Sequence, residues 1–233
     1  MSRTGEPGKY LRPVRSYVLR KGRLTPAQQR ALEELWPEFG IKPGDRPVES
    51  AELFGREAPL IVEIGFGNGE ATWRMARNEA DFDFIGIEVH EPGVGHLLQA
   101  LKAQQVANVR IAKTDAVEFM HERLHDGSLS GVRIWFPDPW PKKRHHKRRI
   151  VQAEFVDLLA RKMKTGAVLH LATDWQPYAE HMLEVMRATA DFENLSPAGD
   201  YCERPDWRPV TKFEKRGDRL GHETRDLLFR RTG

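Results

Sequence analysis

The chain has 233 residues, 39% hydrophobic and 30% charged, which suits one substantial domain with additions and is short for two. No apolar run approaches the roughly 18 residues of a membrane span, and the basic N-terminus lacks the apolar stretch of a secretion signal. The single cysteine, Cys202, excludes an internal disulfide framework and a multi-cysteine zinc site. A reducing, cytoplasmic setting is expected. The net charge is only +3, but it is segregated. Residues 1–30 carry Arg3, Lys9, Arg12, Arg15, Arg20, Lys21, Arg23 and Arg30 against Glu6 alone, and a second basic block spans 142–149. Such segregation fits a polyanionic partner; a solvated basic tail is the alternative for the N-terminal arm.

Residues 1–24, with Gly5, Pro7, Gly8, Pro13 and Gly22, read as an arm without periodicity. In "TPAQQRALEELW" Thr25 is placed to cap a helix, Pro26 suits its first turn and Gln28 completes a capping box. Residues 40–59 are rich in Gly and Pro and read as a linker. A regular alternation follows: strand "PLIVEIGFG", helix "EATWRMARNEA", strand "DFIGIEV", helix "HLLQALKAQQV", strand "NVRIAKTDA", helix "AVEFMHERL", strand "GVRIWFPDP". It continues with helix "IVQAEFVDLLARKM", strand "AVLHLATD", helix "YAEHMLEVMRATA" and a final strand-like "DLLFRR". Alternating strands and helices predict a parallel sheet covered on both faces.

Ligands of an open parallel sheet bind at the carboxyl ends of its strands. There the sequence puts Glu63 with Gly65, Gly67 and Gly69, then Glu88, Asp115, Asp138 and Asp174. The turn "EIGFGNGE" is G-x-G-x-G, with Glu63 and Glu70 flanking it. Glycines let a ligand approach the backbone closely, but flanking carboxylates repel a pyrophosphate and oppose a nicotinamide-dependent oxidoreductase. They suit S-adenosylmethionine, which carries a sulfonium and an ammonium and no phosphate. Glu88, about 20 residues on, is placed for ribose hydroxyls, and Asp115 for the adenine amino group. Each acid taken alone is equally explained as a helix cap.

In "FPDPWPKKRHHKRR" two prolines stiffen the turn that carries Asp138, and Trp140 stands beside it. A carboxylate next to an aromatic face suits the edge and plane of a flat heterocycle. Lys142, Lys143, Arg144, His145, His146, Lys147, Arg148 and Arg149 then offer charge to phosphates; the alternative is a solvated helix start. Pocket and basic run together point to a base on a nucleic-acid backbone. The paired histidines lack the cysteines or carboxylates of a metal site, so no metal is expected. Thr211-x-x-Glu214 is also a capping box. Cys202 reads as an incidental thiol, and Trp73, Trp175 and Trp207 as packing.

The stretches "EIGFGNG", "GIEVHEPGVG", "FPDPWPKKRHHKRR", "ATDW" and "TKFE" together resemble the bacterial tRNA (guanine-N7)-methyltransferases, from about Arg15 to the C-terminus. The resemblance implies methyl transfer from S-adenosylmethionine to N7 of the variable-loop guanine of tRNA, position 46. It implies that Glu63, Glu88, Asp115 and Asp138 line the cofactor site with Gly65 and Gly67, and that Asp138 is catalytic. It further implies that Lys142, Asp174, Thr211, Lys212, Phe213 and Glu214 contact the substrate, and that Arg144, His145, His146, Lys147, Arg148 and Arg149 touch RNA. The expected fold is a doubly wound, Rossmann-like α/β methyltransferase sheet, mostly parallel, with an antiparallel C-terminal strand. The expected organisation is an arm, helix and linker over 1–55, a cofactor-binding domain over 56–190 and a substrate segment over 191–233 that completes the same domain. A monomer or homodimer with no membrane partner is expected. The remaining alternatives are an RNA-binding protein on a methyltransferase fold, or a methyltransferase for another RNA acceptor.

Overall fold

The computed structural model describes residues 15–18, 22–211, 214, 215, 217 and 221–233. Among them, seven strands form one sheet: β1 (Leu60–Ile64), β2 (Asp83–Ile87), β3 (Val109–Ala112), β4 (Leu129–Trp135), β5 (Met163–Thr173), β6 (Phe192–Asn194) and β7 (Arg225–Arg231). Their order is β3-β2-β1-β4-β5-β7-β6. The first five are parallel, and β7 lies antiparallel between β5 and β6. The direction of winding reverses between β1 and β4, which opens a crevice at their carboxyl ends.

Period-two alternation assigns the strand residues to two apolar layers. Leu60, Val62 and Ile64 join the core formed with α6 (Ala116–Arg123), α7 (Ala153–Lys162) and α8 (Gln176–Arg187). Ile61 joins the core formed with α1 (Pro26–Glu34), α2 (Trp36–Phe39), α4 (Glu70–Asn78) and α5 (Glu91–Gln104). Both faces of the central strands are therefore covered, and β1 and β2 are buried at every position. Glu63 is the one charged side chain in the otherwise apolar run of β1.

The capping box at Thr25 and Gln28 is present. The predicted linker differs: it carries α3 (Ser50–Phe54), because Ile41, Val48, Leu53 and Phe54 supply enough apolar surface to pack on the core. The helix after β2 begins at Glu91, five residues before His96, where the expected helix starts. Gly93 and Gly95 look like breakers in sequence. They are helical contact points: a Cβ on Gly93 would strike the Gly67 carbonyl, and one on Gly95 would strike Gln28 of α1. No described helix is long and apolar enough to cross a membrane.

Candidate active site

The glycine turn between β1 and α4 is built from left-handed backbone. Gly65, Gly67 and Gly69 have φ of 73°, 59° and 73°, a region that side chains strain. A Cβ on Gly65 or Gly67 would meet no protein atom, so both backbones face open cleft. The Gly67 N–H donates to Glu88 Oε2 at 3.0 Å, while Glu88 Oε1 accepts from the N–H groups of Val89 and His90 at 2.7 and 3.0 Å. Three backbone donors thus fix the Glu88 carboxylate across the end of β2.

Glu63 is buried, 3% exposed, and its Oε2 has no hydrogen-bond partner among the described residues. Burial pushes its carboxyl up to about 7, an effect that the Thr72 hydroxyl and the Arg133 guanidinium only partly offset and that Glu88 reinforces. A cavity of about 350 Å³ opens over it, lined among others by Gly67, Asn68, Trp135, Arg208 and Thr211. A second cavity, about 400 Å³, includes Tyr17, Glu88, Thr114, Pro137 and Asp138 in its wall. Both cavities share Gly65 and Phe136. Asp115 caps α6: its Oδ1 accepts from the N–H groups of Val117 and Glu118 at 2.8 and 3.1 Å. Its neighbours Thr114 and Ala116 line the second cavity, so capping and a place at the site's edge coincide.

The loop after β4 is strained at both ends. Phe136 and Trp140, neither a glycine, have φ of 51° and 45°. Such residues persist only where surroundings hold them, and they gather at functional sites. Here the Phe136 N–H donates to the Ala172 carbonyl at 2.8 Å, and Arg149 Nε donates to the Pro139 carbonyl at 3.0 Å. Trp140 Nε1 donates to the Ser16 carbonyl at 3.0 Å. The Arg148 guanidinium lies 3.8 Å from the Trp140 ring centroid and donates to the carbonyls of Arg15 and Tyr17. Asp138, between these fastenings, is exposed and lines the cavity.

The basic run therefore divides. Lys142, Lys143, Arg144 and Lys147 are exposed, and His145 and His146 are half-buried. Arg148 turns toward the arm. Arg149 is buried, 4% exposed, and sits 4.8 Å from the Tyr178 ring centroid.

On the other side of the crevice, Asp174 follows β5 and is half-buried, with His222 Nδ1 at 3.3 Å from its Oδ2. Thr211 lines the first cavity, and its Oγ1 accepts from the Glu214 N–H at 3.2 Å, as the capping pattern expects. The Glu214 side chain is buried, with both oxygens on Arg208. Lys212 and Phe213 lie outside the described residues. Trp175 and Trp207, read as packing, are 38% and 41% exposed, although Trp207 Nε1 donates to buried His170. Sequence reasoning missed Arg208, His170 and Asp226. The available signal was polar character inside "VLHLAT" and at the head of "DLLF", two otherwise apolar strands.

A family model described as "Putative methyltransferase" matches residues 57–227. The tRNA (guanine-N(7)-)-methyltransferase of Aeromonas hydrophila is 53% identical over 226 residues, 97% of this chain and 95% of the relative. The chain belongs to the tRNA (guanine-N7)-methyltransferase family. A relative of the same name from Shewanella sp. strain MR-4 is 54% identical over equal shares. Among solved structures, the 16S rRNA methyltransferase KamB matches with a TM-score of 0.54 at 14% identity, over 84% of this chain and 99% of that one. An rRNA methylase from Streptococcus thermophilus matches at 0.51 and 12%, over 79% and 92%. These two share the Rossmann-like methyltransferase fold.

Proposed function

We propose that the chain transfers a methyl group from S-adenosylmethionine to N7 of guanine 46 in the variable loop of tRNA, in the cytoplasm. The observation that carries this is the pairing of Glu63 and Asp138 across one crevice. Glu63 is a buried carboxylate with an unpartnered oxygen, in a cavity shared with Gly65 and Gly67. Asp138 is an exposed carboxylate on a strained loop that leads into exposed cations.

The residues fit the cofactor. An unpaired buried oxygen is costly unless a ligand donor meets it, and an ammonium group meets it best. Gly65 and Gly67 leave room for close backbone approach. Glu88, held rigid by three N–H groups, would receive ribose hydroxyls on its remaining lone pairs, and Asp115 would accept from an adenine amino group with the oxygen not used in capping. Bound S-adenosylmethionine supplies an electrophilic methyl group on a sulfonium.

Guanine N7 already carries an in-plane lone pair, so no general base is needed to uncover it. The chain's task is to bring N7 into line with the carbon–sulfur bond. Methylation at N7 would leave positive charge on the purine, which the Asp138 carboxylate would stabilise as it develops. Lys142, Asp174 and the stretch Thr211–Glu214 hold the acceptor. Arg144, His145, His146 and Lys147 engage RNA phosphates, while Arg148 and Arg149 serve the same run from within by holding the loop. Residues 1–55 add a basic arm, 56–190 the cofactor half and 191–233 the acceptor half.

The test is to incubate the chain with labelled cofactor and unmodified tRNA and to identify the labelled nucleoside. 7-Methylguanosine, lost when guanine 46 is replaced by adenine, is the expected product. Label in another nucleoside, or in protein, overturns the reading.

A further inference from the structure

Behind the acceptor side of the crevice lies a buried polar network. Arg208 is 1% exposed. Its Nε and Nη2 donate to Asp226 at 2.6 and 2.9 Å, and its Nη1 and Nη2 donate to Glu214 at 2.8 and 2.7 Å. Both forks of one guanidinium are thus used, each on a carboxylate from a different part of the chain. Asp226 belongs to β7, where it pairs in register with Ala172 of β5. His170 Nε2 lies 2.8 Å from Asp226 Oδ1, and Trp207 Nε1 donates to His170 Nδ1 at 3.3 Å. With Nδ1 accepting, Nε2 carries the proton and donates, so His170 is neutral. Burial, which depresses its proton affinity, agrees.

Two features set this network apart from packing. A buried ion triad contributes little stability over well-packed apolar groups, because desolvation offsets attraction. What it supplies is a defined geometry. It is also at the site: Arg208 and Thr211 line the cavity over Glu63, and the guanidinium lies 5.8 Å from the ring centroid of Phe136, at the strained start of the Asp138 loop. The Glu214 N–H, in turn, holds the Thr211 hydroxyl.

We propose that Arg208 is a positioning residue for the acceptor: it locks Glu214 to the sheet, and through Glu214 it sets the Thr211 hydroxyl at the cavity wall. This deepens the function proposed above and rests on it. Glu214 is then the hinge pin of the acceptor segment, with Thr211 as the group presented to guanine. Asp226 and His170 give Arg208 a fixed footing on β7 and β5, which pair antiparallel.

A double-mutant cycle tests this. Arg208→Lys keeps a charge but loses the fork, and Glu214→Gln keeps shape but loses the ion pair. Each is expected to lower kcat/KM for tRNA by about 30-fold, with the cofactor Kd within about 3-fold of the unmutated chain. The double variant is expected to be no worse than either single one. Losses that multiply, or a cofactor Kd that weakens in step with kcat/KM, overturn the positioning role. If Arg208→Lys does not fold, a cycle of Glu214→Gln with Thr211→Ala makes the same demand, since both act through one hydroxyl. The unmutated chain is assayed for 7-methylguanosine alongside. No 7-methylguanosine from it overturns the functional reading and this inference together. Its formation with multiplying losses overturns the inference alone.

Discussion

The glycine turn and the proline loop deliver carboxylates to the same edge of the sheet in opposite ways. The turn takes its left-handed backbone from glycines, which adopt it freely, and buries Glu63 beneath. The loop takes left-handed backbone at Phe136 and Trp140, at about 1–3 kcal/mol each, and leaves Asp138 exposed. The turn is closed by its own hydrogen bonds, through Glu88. The loop is held from outside, by Arg148, Arg149 and the Ser16 carbonyl. On the function proposed above, the difference is a division of labour: the turn is a preformed receptor for a small cation, and the loop a clamped, strained platform for a bulky acceptor.

The largest expected effect lies on the loop. Asp138→Asn should lower turnover at saturating substrates about 100-fold or more, as loss of one charge-stabilising group does, with tRNA affinity unchanged in a filter-binding assay. Unchanged turnover would remove that carboxylate from the reaction. Next comes the turn. Glu63→Gln should weaken cofactor binding about 30-fold, read by calorimetry, through loss of a charge-assisted bond.

The same variant carries a stability signature. The folded Glu63 carboxyl sits at about 7, against an ordinary 4.5. The folded state therefore favours its protonated form, and cofactor-free stability falls as pH rises from about 4.5 to 7. The full difference is about 3 kcal/mol. Glu63→Gln should flatten that decline in urea melts taken at pH 5 and 8; an unchanged slope would assign the decline elsewhere.

Gly67→Ala comes third. Its Cβ meets no protein atom, so the cost is backbone strain of about 1–2 kcal/mol together with about 10-fold weaker cofactor binding. A variant as tight as the parent would show that the cofactor does not lie against that backbone. The smallest effect separates the two halves of the basic run. Arg144→Ala should raise KM for tRNA about 3-fold and reduce the slope of log K against log salt by about 1. Arg149→Ala should lower the Tm and leave that slope alone, since its guanidinium faces Pro139 and Tyr178.

Much of the fold was legible because burial on both faces writes itself as continuous apolar runs, as in β1 and β2. The carboxylates were legible because each lies near or just beyond the carboxyl end of such a run. What escaped depends on distant partners. Arg148 and Arg149 look like their exposed neighbours until the arm, 131 residues away, and Tyr178 are brought in. Arg208 gains its meaning only when β7 folds back beside β5 and carries Asp226 to it. The short α3 and β6 escaped because neither is long enough to show a period.

The most direct test of the central claim is the pH dependence of kcat and of kcat/KM for the cofactor, measured with one saturating tRNA between pH 5.5 and 8.5. On the proposed function, cofactor capture needs an ionised Glu63, whereas transfer needs no proton removed. The expected kcat is independent of pH, and the expected kcat/KM rises about 30-fold through about 7 and then levels, a rise that Glu63→Gln abolishes. A kcat that itself climbs through that range would mean that a base takes a proton during transfer, and would contradict the roles assigned to both carboxylates.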